Sequence, residues 1–166
     1  MATDMFLQLE GIEGESEDSK CPKWIEILSW SHSFSQPTAA VRGSSGPTVE
    51  KANHSDLSIT KYLDKATDDL LSKLWSGDTI SKASLKCFRA DSADTKTPVN
   101  YLTIDMEQVI VSNYSISAGG GDLPLENISL AYGKVTYTYA EQKKADGTGG
   151  GASPTSHDLK TDEVGG

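Results

Sequence analysis

One short stretch of helical period inside a chain of strand period constrains this sequence most. Through most of residues 4 to 140, apolar and polar residues alternate at period two, as half-buried strands do. The alternation breaks between Thr67 and Gly77, where Asp68-Asp69-Leu70-Leu71-Ser72-Lys73-Leu74-Trp75 reads at period 3.6. The Thr67 hydroxyl can accept an orphan amide of the first turn. Asp68 and Asp69 suit the positive end of the helix dipole. Gly77 can adopt the left-handed conformation that ends helices. Leu70, Leu71, Leu74 and Trp75 form the expected buried stripe. The pattern predicts a mainly β fold, a barrel or sandwich carrying one short helix.

Met5, Leu7 and Leu9 mark a first strand. Lys23 to Gln36 reads as one long second strand with unequal faces. Its even face, Trp24, Leu28, Trp30 and Phe34, is the expected core face. Its odd face carries Ser29, Ser31, Ser33 and Ser35, small, polar and uncharged. That row is either an ordinary exposed sheet face or a smooth hydrophilic wall past which something slides. Residues 37 to 55 read as a long loop, and a loop of that length in a compact domain usually has a task. Leu57, Ile59 and Lys61 give a third strand, and Ala83, Leu85 and Cys87 another. Leu102, Ile104 and Met106 lie in one phase. The phase slips at Gln108 to Val109 and Val111, then slips back at Tyr114 and Ile116. Ile128, Leu130 and Tyr132 give way similarly to Val135, Tyr137 and Tyr139, with Gly133 at the change. Such slips predict bulges, which bend long strands. Gly119-Gly120-Gly121-Asp122 predicts a hairpin loop. Residues 143 to 166 are polar and rich in glycine, which predicts a flexible tail after a single domain, 1–142.

The 166 residues are enough for one domain with a real core. The formal charge of −9 argues against nucleic acid, whose phosphates need a basic stripe, and against anionic membrane surfaces. No stretch approaches the roughly 18 apolar residues of a membrane helix. The first residues lack the basic start, apolar run and cleavage site of a signal peptide, so cytoplasmic synthesis is expected. Cys21 and Cys87 could form one disulfide, but a chain of this size does not need it, and free thiols are expected.

No set of residues with the spacing of a reaction centre emerges. His32, His54 and His157 fall in a strand, a loop and the tail, at no metal-ligand interval. His32 lies among serines, but the strained G-x-S-x-G elbow of a hydrolase is missing. Glu13, Glu15, Glu17 and Asp18 are acidic without the oxygen spacing of a calcium loop. Asp64, Asp68, Asp69 and Asp78 surround the helix, where capping and dipole effects account for them without glycoside cleavage. Neither a cofactor nor a metal is expected. The alternatives to a structural protein are a hydrolytic effector or a secreted β-sandwich binding module.

Met1 to Glu10, Gly14-Glu15-Ser16 and Ile27-Leu28-Ser29-Trp30-Ser31 resemble the start of the hemolysin-coregulated protein (Hcp) family. Asp56 to Thr67 resembles that family's strongest motif, which runs into its single helix. Tyr101-Leu102-Thr103-Ile104, Val109-Ile110-Val111-Ser112 and Leu125 to Leu130 continue the resemblance to about residue 142. The resemblance implies a compact two-sheet β-barrel with one helix and an extended loop. It implies a homohexameric ring, with rings stacked into the inner tube of the type VI secretion system. Implied partners are a VgrG spike, a contractile sheath and small effectors sheltered in the lumen. Implied localisation is export by that machine. It brings no catalytic residues. It implies a lumen-facing role for Ser29, Ser31 and Ser33, and a ring-stacking role for the loop carrying Val41, Arg42, Gly43 and Val49.

Overall fold

A computed structural model describes residues 4–37, 51–89, 98–142 and 149–165. Twelve strands and one helix follow in the order β1 (Asp4–Leu9), β2 (Ile25–Glu26), β3 (Ser29–Ser31), β4 (Phe34–Ser35), β5 (Asn53–His54), β6 (Leu57–Tyr62), α1 (Thr67–Ser76), β7 (Ile80–Arg89), β8 (Val99–Ser117), β9 (Leu125–Ala131), β10 (Lys134–Gln142), β11 (Gly149–Asp158) and β12 (Glu163–Gly165).

The long strand β8 organises the fold. Its first half pairs with β7 and β10, and its second half with β9. One sheet therefore runs β12-β11-β10-β8-β7-β1-β2, and the other runs β3-β6-β9-β8. The expected phase slips mark where β8 changes sheets. Gln108 has φ 53°, and the register shifts again between Val111 and Asn113. The expected bulge at Gly133 is a break between two strands. The Gly133 amide donates to the Glu107 carbonyl at 2.9 Å, so both chains turn the same corner side by side.

The second strand differs from its expectation. Residues 23 to 36 form three short strands rather than one. β2 pairs with β1 and β3 pairs with β6. At the switch, Ile27 N–H donates to the Met5 carbonyl and Leu28 N–H to the Thr60 carbonyl. A chain that passes between sheets turns over, and its parity changes with it. Ile25 and Ile27 are therefore buried, while Leu28 is 46% exposed. Trp30 then packs inward, Trp24 joins a small satellite cluster of Phe6, Cys21 and Phe88, and Phe34 is exposed. The result is barrel-like, with its regular ladder interrupted at this switch.

Between the sheets lies one core: Leu7, Leu9, Ile25, Leu57, Ile59, Leu85, Ile104, Met106, Val109, Ile128 and Leu130, with Leu70 from the helix. The helix ends at Gly77, φ 72°, whose amide donates to the Lys73 carbonyl. Its start differs from the expectation. Ala66 is the N-cap and no side chain caps the turn. The Thr67 hydroxyl is engaged with Glu126 instead. Leu70 is fully buried and Leu71 and Leu74 partly so, but Trp75 is 75% exposed, because the helix lies over the barrel on a narrow stripe only.

Two segments that read as unstructured are paired. Asn53–His54 joins Phe34–Ser35 in a two-stranded unit. Residues 149–165, expected to be a flexible tail, form β11 along β10, and β12 along β11. A strand added to an open edge gains backbone hydrogen bonds without needing apolar side chains, so polar composition did not forbid it. Cys21 and Cys87 are free, as expected, and both are buried.

Candidate functional site

The serine row is part of a larger surface. Ser29 stands opposite Thr60, Thr60 opposite Asn127, and Asn127 opposite Ser115. One step along, Ser31, Ser58, Ser129 and Asn113 form a second row. Directly opposed residues share a face. The outer face across β3, β6, β9 and β8 is therefore a field of small, neutral, polar side chains. Ser58 and Ser129 hydroxyls meet at 3.3 Å, and the Thr60 hydroxyl donates to Asn127 Oδ1 at 2.9 Å. The inner face of the same strands carries Leu57, Ile59, Ile128 and Leu130, all buried. Ser29 and Ser31 are exposed within this field. Ser33 is also exposed but lies past its edge, where its amide donates to the Ser55 hydroxyl at 2.9 Å. The sequence announced only one strand of this face, since strand neighbours are far apart in the chain. The positions expected to stack rings, Val41, Arg42, Gly43 and Val49, lie outside the described residues.

Beneath the helix is a charged cluster that the residue pattern did not bring to notice. Lys61 Nζ donates to Glu126 Oε1 at 2.5 Å and to Asp64 Oδ1 at 2.7 Å, and the Lys61 and Glu126 side chains have no exposed surface. The Thr67 hydroxyl lies 3.0 and 3.1 Å from the two Glu126 oxygens, and Tyr114 also donates to that carboxylate. Burial, with the Glu126 hydrogen bond and the negative charge of Glu126 and Asp64, raises the Tyr114 phenol above its ordinary range. The signal was present: Lys61 stands in phase with Leu57 and Ile59, and Glu126 with Ile128 and Leu130. A charge in a core phase needs a buried partner.

The three histidines, expected to lie apart, are brought together. His54 Nε2 meets His157 Nδ1 at 2.7 Å, and Tyr132 Oη stands 2.7 Å from His54 Nδ1 and 2.8 Å from His32 Nε2. The other contacts of His32 are Tyr137 Oη and the Ser55 carbonyl rather than a serine hydroxyl, so no hydrolase dyad forms. Among the described residues no group of three or more ligating side chains could hold a metal. In the early acidic loop, Glu13 pairs with Lys65 at 3.3 Å and Lys23 at 3.9 Å. Asp68 and Asp69 are exposed on the first helical turn. No described helix is long and apolar enough to cross a membrane.

This architecture is shared with known proteins. The sequence profile of the family described as "Type VI secretion system effector, Hcp" matches residues 6–139. Protein hcp1 of Pseudomonas aeruginosa is 37% identical over 148 residues, covering 89% of this chain and 88% of that protein. A solved structure titled "Structure of a type six secretion system protein" superposes with TM-score 0.87 at 30% identity, covering 99% of this chain and all (100%) of the other. Hcp1 from Salmonella typhimurium superposes with TM-score 0.80 at 28% identity, covering 99% of each chain. A profile spanning most of the barrel, a relative of nearly equal length and the same strand–helix architecture agree: the chain belongs to the Hcp family of type VI secretion system proteins.

Proposed function

We propose that this chain is a structural subunit of the type VI secretion inner tube, assembling as rings of about six copies, the closed cyclic symmetry expected of such an oligomer. The observation that carries the reading is the neutral polar field across β3, β6, β9 and β8. A conduit wall must stay hydrated without holding its cargo. Charged side chains would bind or repel cargo over a Debye length, and apolar ones would adhere to it. Serine, threonine and asparagine do neither. Ser29 and Ser31 are placed on the lumen side, with Ser33 at its margin. Val41, Arg42, Gly43 and Val49 are assigned to contacts between stacked rings. Small effectors in the lumen, a VgrG-type spike, a contractile sheath and export by that machine complete the reading. A non-catalytic role is supported by the histidines and the Glu126 carboxylate, which internal hydrogen bonds already occupy.

Native mass spectrometry of the purified chain tests the ring, with a six-copy species expected. A monomer at every concentration would sink it. Ser31→Arg tests the wall. The expected result is an intact ring with weakened effector retention and reduced export. Normal retention and normal export would remove Ser31 from the lumen.

A further inference from the structure

The histidine cluster has a defined direction. The Asp162 carboxylate can only accept, so His157 Nε2, 2.7 Å away, carries a hydrogen. In a neutral ring His157 Nδ1 then accepts from His54 Nε2–H, and His54 Nδ1 accepts from the Tyr132 hydroxyl. Tyr132 Oη in turn accepts from His32 Nε2–H, and His32 Nδ1 accepts from the Tyr137 hydroxyl at 2.5 Å. The far end agrees at His32. The Ser55 carbonyl, 3.1 Å from His32 Nε2, also requires a hydrogen there. In this arrangement every ring nitrogen of the three histidines is used.

This relay joins the β4–β5 unit to β11, which is itself paired along β10, and the Lys51 ammonium also donates to the Leu159 carbonyl between them. The β4–β5 unit belongs to neither large sheet. It rests on aromatic contacts, with Phe34 4.3 Å from His32, 4.9 Å from His54 and 5.8 Å from Tyr137 between ring centroids. His157 lies on β11, and Asp162 in the turn before β12. A groove beside the relay is lined by Phe34, His54, Val135, Tyr137, His157 and Val164.

We propose that the Tyr137–His32–Tyr132–His54–His157–Asp162 relay is an acid-sensitive latch that holds the β4–β5 unit to the barrel and to β11, and that opens when His32 and His54 take up protons. A proton added to His54 places N–H on Nδ1, so the Tyr132 hydroxyl loses its acceptor and its oxygen faces N–H groups from both His54 and His32. Lys51 adds positive charge on the β5 side, while Asp56 and Asp162 oppose it, and Asp158 is turned to the Lys160 and Thr161 amides. Burial, aided by His157 and Lys51, lowers His54. Burial also lowers His32, against the Ser55 hydrogen bond and Asp56, with His54 adding to the lowering. Groups lowered on folding stabilise the closed form fully above their ordinary range near 6.5, and that contribution is lost as pH falls from there toward the folded values.

Hydrogen exchange of the full-length chain between pH 7.5 and 5, corrected for intrinsic rates, tests this. Opening of residues 52–55 should rise about tenfold per pH unit below the ordinary histidine range, while β1, β7 and the β10–β11 ladder stay protected. The H32Q/H54Q/H157Q variant should lose that dependence. Equal protection at both pH values, or an unchanged dependence in the variant, would overturn the latch, as would simultaneous opening of β1 and β7. Should the variant not fold, imidazole nitrogen NMR of the wild type decides. Neutral Nε2–H rings at His32 and His54 are expected at pH 7.5, and a different tautomer at His54 or a charged ring there would refute the relay.

Discussion

Lys61 and Glu126 face each other across β6 and β9, Nζ to Oε1 at 2.5 Å, with neither side chain reaching solvent. The pair stands at the root of α1, because Asp64 and Thr67 complete it from the helix entry. Strand pairing, helix entry and charge burial are thus one arrangement.

Removing one partner leaves the other charge buried. Lys61→Met should destabilise the fold by about 3–5 kcal/mol, measured by chemical denaturation. The double variant Lys61→Met with Glu126→Gln should recover a large part of that loss. Equal stability of single and double variants would mean that the ion pair is not coupled.

The helix offers a contrast between two of its apolar residues. Leu70 is fully buried and Trp75 is 75% exposed. Leu70→Ala should cost about 2–5 kcal/mol. Trp75→Ala in the dissociated subunit should change stability by only about 0.5 kcal/mol. Similar losses at both positions would place Trp75 in the core.

Gly14 lies against β2, and a Cβ added there would sit 2.4 Å from the Trp24 carbonyl oxygen and 2.7 Å from Ile25 Cα. Its amide also donates to the Lys23 carbonyl at 2.8 Å. Backbone cannot give way as a flexible side chain can. Gly14→Ala should therefore destabilise by about 1–3 kcal/mol, read as a lower denaturation midpoint. Gly133→Ala should be milder, because its neighbour at 2.9 Å is the Gln108 side-chain tip.

Both thiols are buried, and burial raises their pKa values, for Cys21 against the nearby Lys86 and for Cys87 against hydrogen bonds from Trp30 and Tyr101. A raised value keeps the thiol protonated at pH 8, and only the thiolate attacks. Alkylation of the native chain should be at least about tenfold slower than of the unfolded chain. Equal rates would contradict the burial.

Much of the fold was legible because local pattern follows local environment. The helix, its Gly77 end, the hairpin at Gly119–Gly121 and the phase slips around Gln108 and Gly133 all depend on neighbours a few residues away. The site was legible in part. Ser29 and Ser31 announced a neutral polar row, but Thr60, Asn127 and Ser115 read as ordinary strand residues until the register set them beside it.

The sequence by itself determined the fold class, the family resemblance, the lone helix and the neutral character of one strand face. Only the tertiary structure decided where the second strand changes sheets, that residues 149–158 pair with β10 and 163–165 with β11, and that three scattered histidines form one relay. The physical reason is range. Periodicity and capping are set within a few residues, whereas sheet edges and buried charge partners join positions such as Lys61 and Glu126, or His54 and His157, that only long-range pairing brings together.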